Sequence, residues 1–252
     1  EGGYYDRFRH RLMIPIRDPL GRVVAFGART LDGSEPKYLN SPDTPLFTKR
    51  GLLFGLDRAR KAKEGPVLVV EGYTDQMAAV LAGVEGVVAG LGTALTREQG
   101  RLLERYFRDR PVVLLYDGDR AGVQAAERAV AELAPANLDL RVALLEGGLD
   151  PADLVRDRGG EALLELAARA RSGFAVKLDL VCRRHDLGTT VGKAKAVQDM
   201  ADYLLRLEEP VRQEEEVRRA AGRLGISPAA LGRALRRPRR RLRRREEAPA
   251  EA

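Results

Sequence analysis

Only one cysteine, Cys182, occurs in 252 residues, alongside two histidines and no tryptophan. A single thiol excludes a disulfide framework and any zinc site assembled from paired cysteines. His10 and His185 stand isolated and read as surface or packing residues. No Ser/His/Asp or Cys/His set suggests a side-chain nucleophile. No apolar run approaches the roughly 20 residues of a membrane span, and no signal peptide is visible. The chain therefore reads as a cytoplasmic protein without membrane contact. It begins with glutamate rather than methionine, which points to a fragment or a processed product. Hydrophobic residues make up 44% of the sequence, enough for one large or two smaller domains with a real core.

The net charge of +7 conceals its distribution. Residues 1–64 hold thirteen Lys or Arg against eight acids, whereas residues 65–150 hold eight against thirteen. Residues 233–252 hold nine Arg and three acids. An acidic block alone repels nucleic acid, but beside a basic one it suits a polyanion bridged by cations.

Three apolar runs end in acidic groups. Pro66-Val67-Leu68-Val69-Val70 stops at Glu71-Gly72, and Val112-Val113-Leu114-Leu115 leads to Tyr116-Asp117-Gly118-Asp119. Leu140 to Leu145 leads through Glu146-Gly147-Gly148 to Asp150-Pro151-Ala152-Asp153. Runs of this kind, separated by helical patterns, predict buried strands of a parallel α/β sheet, whose carboxyl ends share one edge. A lone aspartate after a strand is ordinarily an N-cap or turn residue, and Asp75 and Asp153 individually stay open to that reading. Three strand ends with the same chemistry ask for more, because gathered carboxylates repel one another unless a cation holds them. Glu71 with Asp117 and Asp119 forms an all-oxygen donor set, suited to Mg²⁺ or Mn²⁺ and not to zinc.

Glu-Gly at one strand end and Asp-Gly-Asp at a later one resemble the Toprim domain of primases, topoisomerases and related nucleases. Val69-Val70-Glu71-Gly72-Tyr73-Thr74-Asp75, Leu91-Gly92-Thr93-Ala94-Leu95-Thr96 and Tyr116-Asp117-Gly118-Asp119-Arg120-Ala121-Gly122 resemble the bacterial replicative primase family, over roughly residues 4 to 235. The resemblance implies a DNA-directed RNA polymerase that makes short RNA primers on single-stranded DNA from ribonucleoside triphosphates. It implies catalytic and metal-ligating roles for Glu71, Asp117 and Asp119, with Asp75, Asp150 and Asp153 supporting the metal. Arg29, Lys37, Asn40 and Lys49 are implied to hold triphosphate or template phosphate, whereas composition alone makes those loops solvated charge. The family commonly has Asp-Pro-Asp where this chain has Asp150-Pro151-Ala152, so Asp153 arrives one residue late. It further implies a bacterial, monomeric protein that reaches the replicative helicase through a C-terminal domain absent here, the zinc-binding domain being absent too.

The predicted architecture is α/β: a Toprim-type parallel sheet with flanking helices, preceded by a small β-rich basic segment and followed by a helical subdomain. Residues 1–64 form the basic segment, with a hairpin turning at Asp18-Pro19-Leu20-Gly21, Pro15 on an edge strand, and Gly27 where another backbone or a ligand approaches closely. Residues 65–150 form the metal-binding domain, in which Thr96-Arg97-Glu98-Gln99 fits a capping box. Residues 151–235 are helical, with a break at Gly159-Gly160 and an N-cap at Ser227-Pro228. Leu224 to Leu235 reads as ordinary helix packing rather than a DNA-reading helix-turn-helix. Residues 236–252 form a basic tail that is disordered or binds nucleic acid. Two other functions compete: another Toprim enzyme, nuclease or topoisomerase, and a non-catalytic nucleic-acid or helicase-binding module. The Lys37 and Lys49 loops weigh against the first, and no Tyr sits in a recognisable cleavage motif.

Overall fold

The computed structural model describes residues 3–145, 147 and 149–236; the basic tail expected over residues 236–252 lies outside them except for Arg236, which ends a helix. Strands β1 (Arg11–Arg17) and β2 (Val23–Thr30) form the expected hairpin. Its turn closes with Gly21 N–H donating to the Asp18 carbonyl at 2.9 Å, while the Asp18 carboxylate accepts from the Leu20 and Arg22 amides. Strand β3 (Tyr38–Asn40) adds to β2, leaving β1, with Pro15, at an edge. A missing N–H is harmless there.

A 3-10 turn (Lys49–Gly51) and the short helix α1 (Leu56–Ala59) lead into alternating strands and helices. These are β4 (Val67–Val70), α2 (Tyr73–Leu81), β5 (Val87–Ala89), α3 (Arg97–Phe107), β6 (Val112–Asp117), α4 (Arg120–Leu133) and β7 (Leu140–Leu145). Next come α5 (Pro151–Arg158), α6 (Gly160–Ala168), β8 (Arg171–Ser172), α7 (Gly173–Arg184), α8 (Thr190–Leu204) and α9 (Pro210–Leu224). The second sheet has the order β5-β4-β6-β7-β8, parallel except for β8. Both of its faces are covered, which explains why its strands read as unbroken apolar runs. Val67, Val69, Val112 and Leu114 pack with residues of α3, α4 and α7–α9, whereas Leu68, Val70, Val113 and Leu115 pack with α2, α6 and the first sheet.

The Thr96–Gln99 capping box forms in full, and its Gln99 amide also reaches the Lys49 and Leu52 carbonyls. The break at Gly159 separates α5 from α6. Ser227 Oγ accepts from the Ala230 amide at 3.2 Å and starts a helix over 228–236. Leu231 on that helix is fully buried in the core shared with α7–α9, as expected of packing. His185 is also structural, its Nε2 lying 2.8 Å from Asp199.

Helices α4 and α7 are pinned together by charge. Glu127 accepts from Lys177 Nζ at 2.7 Å and from Arg184 Nη2 at 2.6 Å. Burial lifts the Glu127 carboxyl, but these two cations outweigh it and hold the group below its ordinary value. Its contribution to stability is therefore present above its unfolded-state value and is lost as pH falls through the depressed folded one. Truncation leaves Lys177, 9% exposed, without its carboxylate. Glu127→Ala is expected to cost about 3 kcal/mol, and thermal melts across pH should show a weaker acid-side loss of stability than in the parent.

Candidate active site

Strands β4, β6 and β7 run parallel in close register, Val67 beside Val112 and Val112 beside Leu140. Their carboxyl ends consequently lie side by side. Glu71 leaves β4, Asp117 ends β6, and Asp150 stands where the chain enters α5 after β7. Glu71, Asp75, Asp117 and Asp150 line one cleft of about 350 Å³, together with Lys37, Tyr38 and Asn40 from the first sheet. The acidic edge and the segment around β3 thus face each other across a single space.

The carboxylates act on one another. Glu71 is raised above its ordinary value by burial and then by the charges of Asp117 and Asp119. Asp117 is raised by burial, then by Asp119 and Asp150. Asp75, 8% exposed, is pushed up to about 6, chiefly by burial. The Gly72 amide opposes that shift, and Asp150, Glu71 and Asp117 add to it. Like charges held this close favour the protonated forms until a cation arrives.

Capping a helix and standing at the acidic edge turn out to be compatible. Asp119 accepts from the Gly122 amide at 2.6 Å as the N-cap of α4, and Asp150 accepts from the Asp153 amide at 2.6 Å as that of α5. Asp75 accepts from the Gly72 amide at 3.0 Å in the first turn of α2. Each cap occupies one carboxylate oxygen and fixes the direction of the other. Glu71 accepts no hydrogen bond among the described residues, so its orientation comes from β4 alone.

On the opposite wall the Tyr38 ring lies between two cations, with Arg29 Cζ 5.8 Å and Lys37 Nζ 5.9 Å from its centroid. Asn40 joins the two sheets: its Nδ2 donates to the Leu91 carbonyl at 3.1 Å, and its Oδ1 accepts from the Tyr73 hydroxyl at 2.6 Å. Tyr73 reaches that far because Gly27 leaves room. A Cβ at Gly27 would stand 2.9 Å from the Tyr73 ring, so what approaches Gly27 is an aromatic side chain and not the backbone or ligand expected there.

Four predicted residues do not line the cleft: Asp119, which caps α4 beside it, Arg29, which lies over the Tyr38 ring, Lys49 and Asp153. Lys49 sits in the 3-10 turn, its amide donating to Asp43 at 3.3 Å and its carbonyl accepting from Gln99 at 3.2 Å. Asp153 pairs with Arg156 at 2.8 Å and does not line the cleft. One residue on a helix turns a side chain by about 100°, so the late aspartate leaves the helix in a different direction from position 152, where the family has its second acid. Sequence reasoning missed Tyr73 as the link between the sheets. Its signal was an aromatic residue between Glu71 and Asp75, with a glycine in the facing hairpin.

A parallel sheet with acids gathered at its carboxyl edge is the architecture of the Toprim-containing class. A family model described as Toprim-like matches residues 68–155. Residues 1–60 match "DNA primase catalytic core, N-terminal domain", and residues 174–229 match "DnaB-helicase binding domain of primase". A DNA primase of Synechococcus elongatus is 45% identical over 90% of this chain, which covers 34% of that relative. A DNA primase domain from Pseudomonas aeruginosa superposes with a TM-score of 0.86 at 35% identity, covering 92% of this chain and 74% of that one. A primase catalytic domain solved with bound single-stranded DNA superposes at 0.81 with 37% identity, covering 90% of this chain and 73% of that one. The chain belongs to the bacterial DNA primase family and corresponds to part of its catalytic core, spanning about a third of the length of the curated relatives it matches. The helicase-binding model falls on α7–α9, inside the chain, which corrects the expectation that this portion is missing. Among the described residues no helix is long and apolar enough to cross a membrane.

Proposed function

We propose that this chain carries the nucleotidyl-transfer centre of a primase that synthesises short RNA primers on single-stranded DNA in the bacterial cytoplasm. The observation that carries the proposal is the shared cleft, in which Glu71, Asp75, Asp117 and Asp150 face Lys37 and Asn40. On this reading residues 1–64 supply the phosphate-facing wall, residues 65–150 the carboxylates, and residues 151–235 a helical flank that meets the replicative helicase. The protein works as a monomer on this reading.

Among the described residues no three His, Cys, Asp or Glu side chains converge closely enough to enclose a metal by themselves. Mg²⁺ is usually held by one or two carboxylates plus substrate phosphates and keeps several waters. The all-oxygen set also accepts Mn²⁺. Glu71, Asp117 and Asp119 would hold the ions, with Asp75 and Asp150 adding negative charge. Divalent cations held there would supply Lewis-acid chemistry, lowering the pKa of the attacking 3′-hydroxyl and offsetting charge on the leaving pyrophosphate. Lys37 and Arg29, flanking Tyr38, draw the triphosphate toward the carboxylate wall. Asn40, held by Tyr73, keeps that wall at a fixed distance from the acids, so that little geometry remains to be organised when substrate binds.

Calorimetry with Mn²⁺ tests the ion site. Asp117→Asn together with Asp119→Asn is expected to weaken binding at least about tenfold, the order of loss for an incomplete ligand set. Asn still caps α4, so the circular dichroism melt should remain. Unchanged Mn²⁺ binding in the double variant would sink the assignment. A nuclease reading is separated by incubating labelled single-stranded DNA with and without nucleoside triphosphates: extension needs them, cleavage does not.

A further inference from the structure

Away from the acidic cleft, the far side of the sheet is unfinished. Strand β8 pairs with β7 only at Arg141 and Val142, after which the chain running back toward α6 leaves the sheet. Beyond that point β7 continues to Leu145. The Val112 amide donates to the Asp139 carbonyl, so odd-numbered backbone groups of β7 face β6 and even-numbered ones face outward. The N–H and C=O of Leu144 therefore point to the open edge, where no strand pairs with them among the described residues.

A cavity of about 520 Å³ lies along this edge. Its apolar lining includes Val142, Leu144, Leu154, Leu166, Val176 and Leu180, drawn from both faces of the sheet. Arginines stand at its rim. Arg171 is paired with Asp179 at 2.5 Å, and Arg158 lies 3.6 Å from Glu165. Arg169 and Arg183 also line the cavity, are exposed, and have no carboxylate partner among the described residues. The lining contains no aromatic residue, so it offers no stacking platform for single-stranded bases.

We propose that this groove binds an extended acidic segment of a partner protein by strand addition to β7. The backbone of the segment would complete the hydrogen bonds of Leu144, its apolar side chains would enter the slot, and its carboxylates would meet Arg169 and Arg183. Edge addition takes affinity from main-chain bonds and specificity from pockets for alternate side chains. Those are the two features the open β7 edge supplies. Unpaired arginines at the rim set the sign of charge the segment must carry. The proposal is independent of the chemistry assigned to the acidic cleft.

The probe is a fluorescein-labelled peptide alternating Asp with Leu and Val, titrated onto the full 252-residue chain by anisotropy. Binding should weaken at least tenfold when the peptide is N-methylated at its central residue, and at least tenfold in the Arg169→Glu/Arg183→Glu double variant. Hydrogen exchange at the Leu144 amide should slow when the parent peptide binds. An Arg105→Glu variant, altered on α3, should bind the peptide as the parent chain does. Indifference to N-methylation, or equal losses in the Arg105 and rim variants, would mean charge attraction without strand pairing and would overturn the proposal. So would oligothymidylate displacing the peptide at equal concentration, which would make the groove a nucleic-acid site.

Discussion

Glu71→Gln, introduced into a full-length protein carrying this chain, is expected to lower primer synthesis by about 10³-fold, equivalent to about 4 kcal/mol of transition-state stabilisation. The fold should survive. Glu71 accepts no hydrogen bond and forms no ion pair among the described residues, and its charge opposes those of Asp117 and Asp119. Neutralising it relieves repulsion, so the melting temperature should stay level or rise slightly. Primer extension on a single-stranded template and a thermal melt of the same preparation check both halves. Retained synthesis with a lowered melting temperature would contradict the role and the energetics together.

The second large effect is expected at Gly122, in the first turn of α4. A Cβ there would collide with the backbone carbonyl of Asp117. No rotamer change relieves such a clash, because both partners are main chain. Gly122→Ala must push α4 away from the end of β6, carrying off the amide that Asp119 caps. Overpacking of this kind costs about 3 kcal/mol, a fall of about 6–12 °C in melting temperature for a chain of this size. Mn²⁺ affinity should fall alongside, since Asp117 and Asp119 no longer keep their relative positions. Full stability in the alanine variant would mean that helix and strand are not in the tight contact described.

Much of this arrangement was legible in the chain. Unbroken Val/Leu runs ending in Glu71, Asp117 and Asp150 gave away strands, direction and acidic edge, because parallel strands buried on both faces leave no room for polar residues except at their ends. The turn at Asp18 and the cap at Thr96 were equally plain, since both depend on residues a few positions apart. What resisted reading depends on long-range contacts. Lys49 looks like any other loop lysine until Gln99, fifty residues on, takes its carbonyl. Tyr73 gains its meaning from Gly27 and Asn40, which the sequence places far ahead of it. The short β8 has too few residues to carry a pattern, so the open edge of β7 was invisible as well. Asp153 was carried over by likeness, and the pitch of α5 turned it toward Arg156.

The use of Asp119 and Asp150 as helix caps has a consequence for how such a centre can change over time. Asparagine caps a helix about as well as aspartate. At these two positions charge can accordingly be removed or restored in single steps without melting α4 or α5. The electrostatics of the cleft and the integrity of the scaffold are inherited separately there, and a lineage can retune its appetite for cations while the helices keep their places.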